Sequence, residues 1–353
     1  MPIQPPSDAL FAQPALEPME LFGRMRALTI ARGFSGTLPV IWQCSDESQG
    51  IKRALFGYAF DCPSFNLGRV GALLDPTRLA TAAHHGHDLV IFGGSHLGAH
   101  EEGGLGYIER VHGQVSPCCG LLCRVLQEYL EVYQRAALFI RLLRAPEGFL
   151  IEIPYKYLFR KPAGTTARIQ INLGRLTTGE PLHDSSLGKV YHLHPALIAQ
   201  HAVELASVTA EPGAIGPLLG PGLFTFSKAL NSESLDPRTM LEVGIFDFWS
   251  DIVTSPNPHR RLANVNTWRQ FHRLAAYLTD AFSGRNRNVL VVAGLTLDHS
   301  IRRNTVIPQF GWLMERESSQ QGQYLDPPTV TDLLTAQPVF RPPKSFLEYA
   351  GVS

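Results

Sequence analysis

Three short apolar runs, each closed by polar or glycine-rich residues, dominate the pattern of the chain. Leu38-Pro39-Val40-Ile41-Trp42-Gln43 ends in Cys44, Asp88-Leu89-Val90-Ile91-Phe92-Gly93-Gly94 leads into Ser95-His96, and Asn288-Val289-Leu290-Val291-Val292-Ala293-Gly294 leads to Asp298-His299. Runs of this length predict buried strands whose ends deliver side chains into a crevice. Residues 149–153 and 167–172 alternate polar and apolar positions and predict further strands. Helical spacing runs from Gly120 through Arg144, with Leu122, Val125, Leu126, Tyr129 and Tyr133 on one stripe, and again from Trp268 to Phe282, which stops before Ser283-Gly284. Gly68 to Leu74 followed by Asp75-Pro76 predicts a loop and a helix start. Strands mixed with helices predict an α/β fold, and open α/β sheets place their sites at strand ends.

Length and composition then set the scale. With 353 residues, 44% hydrophobic and 18% charged, the chain can bury a large core and divides into more than one part. The expected division is an arm over residues 1–25 with a short helix near Leu16 to Leu28, a core over 26–145, and a second α/β region over 146–353 that either completes the fold or forms a second, metal-free half. Pro327-Pro328 and Pro342-Pro343 predict a wrapping C-terminal tail. Lys+Arg and Asp+Glu are equal at 31 each, so no nucleic-acid footprint is expected and a small-molecule substrate is. No apolar run of about 18 residues predicts a membrane span, and the N-terminus lacks the basic and apolar regions of a secretory signal. The expected location is cytoplasmic. The run from Asn288 to Arg316 echoes that from Asp88 to Arg110, which reads either as a duplication whose second copy lost its metal or as coincidence.

Cysteine placement narrows the chemistry. All five cysteines lie in the first 123 residues, an odd and clustered set that argues for reduced thiols rather than a disulfide framework. Cys44, His96 and the pair Cys118-Cys119 offer the thiolates and imidazole that Zn²⁺ prefers, with a fourth position left open. The competing reading is ordinary: free cysteine is often a small buried hydrophobe and a lone histidine a satisfied core residue. A helix starting after Cys119 would favour its thiolate.

Cys44-Ser45-Asp46-Glu47, His84-His85, Ser95-His96-Leu97-Gly98, Gly104-Leu105-Gly106, Arg110, Gly113-Gln114, Ser116 and Cys119-Gly120, taken in order, resemble the limiting-CO2-inducible B/C family. That family is a branch of the β-carbonic anhydrase-like fold, also grouped with the theta-class enzymes. The likeness covers roughly residues 38–125. It implies a β-carbonic anhydrase-like sheet flanked by helices, with the C-terminal α/β region additional to it. It further implies a homodimer, Zn²⁺ held by Cys44, His96 and Cys119, and reversible hydration of CO2 to bicarbonate. Cys118 is the one-residue alternative; the family's Cys-Gly pattern favours Cys119. Ordinary β enzymes carry Cys-x-Asp-x-Arg, with the Asp and Arg paired beside the metal; here Ser48 stands where the arginine would. Arg110 is the first candidate to replace it and Arg69 the second.

The chemistry also follows from the residues. Zinc lowers the pKa of a bound water to about 7, giving hydroxide able to attack CO2. Asp46, two residues past Cys44, could orient that hydroxide, close the site as a fourth ligand, or simply cap a turn; a guanidinium partner would hold it off the metal. His85 is the candidate proton shuttle, against the reading of a solvated loop histidine. Two rivals remain: a catalytically silent relative with a structural or regulatory role in CO2 concentration, and a zinc hydrolase of a small carbonyl or amide.

Overall fold

The computed structural model describes residues 13–75, 78, 88–101, 104–110, 113–159, 163–282, 286–300, 303–316, 322–342 and 345–349. Contacts divide the chain into two units, one of residues 1–123, 235–244 and 259–353, the other of 124–234 and 245–258. The edges of these units do not coincide with divisions near 25 and 145, and residues 259–353 lie within the first unit.

The first unit is built on a mixed sheet. β1 (Leu38–Trp42) lies between β2 (Phe65–Asn66) and β3 (Leu89–Gly93), all parallel, and β3 pairs in parallel with Val289–Asp298. That long strand turns back antiparallel onto Asn304–Met314. Such strands need cover on both faces, and they have it. Ile41, Val90, Phe92, Leu290 and Val292 meet Leu21, Phe22, Met25 and Phe56 of α1 (Pro18–Ala31) and α2 (Gly50–Phe60) in one cluster. Phe22 sits edge-on to Phe56 at 4.9 Å and to Phe92 at 5.0 Å. Phe310, opposite Ala293, points to the other face, where Phe271 of the helix Pro258–Phe282 stacks on it at 5.5 Å.

Several expectations change for local reasons. The short helix expected near Leu16 to Leu28 is α1, but its apolar stripe is core rather than part of an arm, because Leu21, Phe22 and Met25 are fully buried. The helix Pro258–Phe282 starts ten residues before Trp268; its early turns bury Asn264, Asn266 and Thr267, so no apolar stripe announces them. Pro327 does not open a tail but a helix, Pro327–Thr335, capped by Asp326, whose carboxylate accepts from Thr329 N at 3.0 Å. The run from Asn288 is not a second, metal-free half. It is a strand of the first sheet.

The helix Gly120–Phe139 begins in the first unit and continues along the chain into the second. It stops short of Arg144 because Arg141–Ala145 pairs with Gly148–Pro154 as a hairpin. The second unit continues with an antiparallel sheet, ordered Thr177–Asp184, Gly188–Leu193, Gly148–Pro154, Arg141–Ala145, Gly213–Ala214. Tyr129 stacks on Trp249 there at 3.9 Å.

Candidate metal centre

The cluster lies where the parallel strands end. Cys44 follows β1, and Asp298 closes the strand that begins at Val289. After β3 the chain turns at Gly94 and re-enters the sheet as β4 (His96–His100), which places His96 opposite Thr296. Cys119 precedes the helix Gly120–Phe139, its carbonyl accepting from Cys123 N at 3.0 Å.

Cys44, His96 and Cys119 bring one donor atom each to within 4.8 Å of one another. Each residue is 1% exposed, and the two sulfurs are 3.6 Å apart. His96 Nδ1 lies 2.8 Å from Asp298 Oδ2. A carboxylate only accepts, so this contact favours the tautomer with the proton on Nδ1 and the lone pair on Nε2, although the Gln49 amide nitrogen also lies 2.9 Å from Nδ1. That Nε2 is buried without a hydrogen-bond partner among the described residues. A buried imidazole nitrogen facing two sulfurs presents the donors that a divalent cation would take up. The donor set of two sulfurs and one nitrogen suits Zn²⁺.

Asp46, His96 and Cys118 also fall within 4.8 Å of one another. Cys118 Sγ, however, sits 3.4 Å from His96 Nδ1 and 3.6 Å from Asp298 Oδ2, on the side of the ring that the carboxylate already uses.

The surrounding shell is polar, buried and paired. Asp298 Oδ2 accepts from Gln49 Nε2 at 2.8 Å and Ser48 Oγ at 3.1 Å, while Lys52 Nζ is 3.4 Å from Oδ1. Lys52 and Asp298 side chains are both 0% exposed. Gly71 N donates to Cys44 Sγ at 3.2 Å from a left-handed backbone, φ 77°, that glycine tolerates. The sulfurs share protons unequally: the hydrogen bond with Cys119 pulls Cys44 down to about 4, against burial, while that contact and burial push Cys119 well above the usual thiol. Burial pushes the Asp298 carboxyl up, but the Lys52 charge and the His96 and Ser48 hydrogen bonds outweigh it and bring it to about 2.

Asp46 caps a turn, its Oδ1 accepting from Ser48 N at 3.1 Å. Its Oδ2 lies 3.8 Å from the Arg110 guanidinium, which also pairs with Glu47 and donates to Ser116 Oγ at 2.5 Å. Arg69 is elsewhere, bound to Asp75 at 2.8 and 3.0 Å. His85 lies outside the described residues.

Sequence reasoning passed over Ser48, Gln49 and Lys52 and left Asp298 without a role. Lys52 did leave a trace: with Phe56, Ala59 and Phe60 it forms the inward stripe of α2, an odd place for an unpaired lysine.

No protein-family model and no curated protein sequence matches the chain. Among solved structures, it is similar to PtLCIB4, a homolog of the limiting CO2-inducible protein LCIB, at 13% identity and a TM-score of 0.53, over 88% of this chain and 94% of that one. A histidine-to-alanine mutant of PtLCIB4 matches at 14% identity and a TM-score of 0.52, over 88% and 92%. The chain therefore has an LCIB-like α/β fold. Among the described residues, no helix is long and apolar enough to cross a membrane.

Proposed function

We propose that the chain is a carbonic anhydrase-like zinc protein that interconverts CO2 and bicarbonate, with Cys44, His96 and Cys119 as the metal ligands. The observation carrying this reading is the unpaired, buried His96 Nε2 beside two thiols. Zinc held there would supply Lewis acidity and, through a lowered water pKa of about 7, a nucleophile at neutral pH. The similarity to LCIB-like structures supports the fold that such a site needs.

The chain's own groups divide the remaining work. Asp46 Oδ1 is occupied by the turn it caps, which leaves Oδ2 as the oxygen able to accept a proton-bearing group at the reacting centre. Arg110 faces that oxygen from 3.8 Å, the direction from which a guanidinium would keep it turned.

A second reading, a silent relative with a structural or regulatory role, is favoured by the same pair. The 3.8 Å separation exceeds a hydrogen bond, and Arg110 also serves Glu47. Stopped-flow CO2 hydration on zinc-replete protein tests between them. Hydration well above the uncatalysed rate is expected, with Asp46→Ala and Arg110→Ala keeping zinc but losing at least tenfold in kcat/KM. No acceleration at any pH from mildly acidic to mildly alkaline would leave the silent reading standing.

A further inference from the structure

Asp298 is joined to the centre from the far end of the chain. It shares a strand register with His96, Thr296 lying opposite His96 and Asp298 opposite Gly98. Its carboxylate has no exposure and meets four nitrogen and oxygen donors, His96 Nδ1 at 2.8 Å, Gln49 Nε2 at 2.8 Å, Ser48 Oγ at 3.1 Å and Lys52 Nζ at 3.4 Å, with the Cys118 thiol at 3.6 Å. A carboxylate held by three other donors cannot swing away from the imidazole. The imidazole, in turn, cannot flip without losing its carboxylate and directing Nδ1 at the sulfurs.

The charges point the same way. Asp298 and Lys52 cancel as a buried pair, leaving the Cys44 and Cys119 thiolates as the uncompensated charges. A divalent cation held by both thiolates would bring the buried total to zero. Had Lys52 been absent, the same cation would leave a net negative site in low dielectric, which is expensive.

We propose that Asp298 is a positioning residue of the metal site: it fixes His96 with Nε2 as the ligating atom, and Lys52 neutralises it so that the site balances a divalent cation. This rests on the reading of Cys44, His96 and Cys119 as zinc ligands, and its measure is metal affinity, independent of CO2 hydration.

Removing Asp298 alone strands a buried lysine and can unfold the protein for an unrelated reason. The informative variant is the pair Lys52→Met/Asp298→Leu, in which apolar residues replace both charges. Lys52→Met/Asp298→Asn is its partner, because an amide oxygen still accepts from Nδ1–H. Zinc affinity is measured by competition with a chromophoric chelator, and melting temperature in excess EDTA reports the metal-free fold. Cobalt(II) replaces zinc for a visible spectrum of the coordination geometry.

The Leu pair should bind zinc about 10–100-fold more weakly than the unmodified protein, with altered cobalt bands, and the Asn pair should recover part of that loss. The two pairs should melt alike without metal, which separates positioning from folding. Zinc affinity of the Leu pair within about threefold of the unmodified protein overturns the proposal, since effects on metal ligation through such partners are normally larger. Equal loss in the Leu and Asn pairs also overturns it, because hydrogen-bond acceptance would then be irrelevant. An unmodified protein with no zinc affinity removes the zinc centre as well; that failure shows in the parent protein rather than in the variants.

Discussion

Gly94 is where the sheet hands His96 to the site, and Gly94→Ala should damage stability and metal binding together. Its φ is 137°, far from any well open to alanine, and an added Cβ would lie 2.0 Å from the carbonyl oxygen of Gly294 and 3.0 Å from that carbonyl's carbon. An ordinary carbon–oxygen contact is about 3.3 Å or longer. The obstacle is backbone, so it cannot rotate aside: either β3 and Val289–Asp298 part, or the chain entering β4 moves. Backbone strain of about 1–3 kcal/mol and overpacking of about 1–3 kcal/mol together give about 2–6 kcal/mol. For a unit of this size that corresponds to a melting temperature lower by about 5–20 °C. The displaced hydrogen bond from Thr296 N to Ser95 O, 3.0 Å, is one residue from His96, so zinc affinity should fall by about tenfold or more. Gly104→Ala is the control, being left-handed at φ 71° but with nothing within 4 Å of its Cβ. Thermal unfolding followed by circular dichroism in EDTA, with chelator competition for zinc, reads both quantities. If Gly94→Ala melts with Gly104→Ala and binds zinc like the unmodified protein, the account of how β4 is placed is wrong.

Two other outcomes are expected. Cys119→Ser should lose zinc by elemental analysis, whereas Cys118→Ser should keep about one zinc per chain, because Cys118 Sγ stands on the Nδ1 side of His96; the opposite pattern would move the ligand by one residue. Asp88→Ala should cost about 2–6 kcal/mol in urea unfolding, since its buried carboxylate accepts from Ser35 N at 2.8 Å and Asn288 N at 3.0 Å, and each stranded donor costs about 1–3 kcal/mol. Burial pushes the Asp88 carboxyl up, but those donors and Arg316 hold it below the usual range. Its contribution is therefore present above the unfolded value of about 3.9 and lost as pH falls through the lower folded one, so the gap between variant and parent should close below about pH 4. A gap that stays constant on acidification would show the carboxylate charge to be irrelevant.

What the sequence made legible follows physical range. The apolar runs of β1, β3 and Val289–Asp298 are visible because burial on both faces leaves no polar position to dilute them. Cys44 and His96 stand out because each follows such a run, Cys119 because it stands just before a helix, and their donor atoms come within 4.8 Å of one another. The early turns of Pro258–Phe282 stay hidden because Asn264 and Asn266 are buried through hydrogen bonds, Asn264 accepting from Gln309 at 2.6 Å and Asn266 donating to Gly71 O at 2.9 Å. Periodicity counts apolar residues and is blind to satisfied polar ones. The same blindness set the domain boundary at 145, since register between residues 89 and 289 is a long-range fact with no local trace.

Asp298 shows how such a long-range fact becomes chemistry. In register with β4, the strand from Val289 carries a carboxylate to the carboxyl end of a parallel sheet, beside the one imidazole that needs orienting. A buried carboxylate there is tolerable only with a cation, and α2 supplies Lys52 from its own core stripe. Lys52 in turn is tolerable only because Asp298 returns the charge. Ser48 and Gln49 then donate to the same Oδ2 that faces the imidazole. With these neighbours satisfied, His96 Nε2 is left without a hydrogen-bond partner at the end of a buried polar network. The buried polar groups hold one atom in place, facing the two sulfurs with which it would share a metal under the proposed reading.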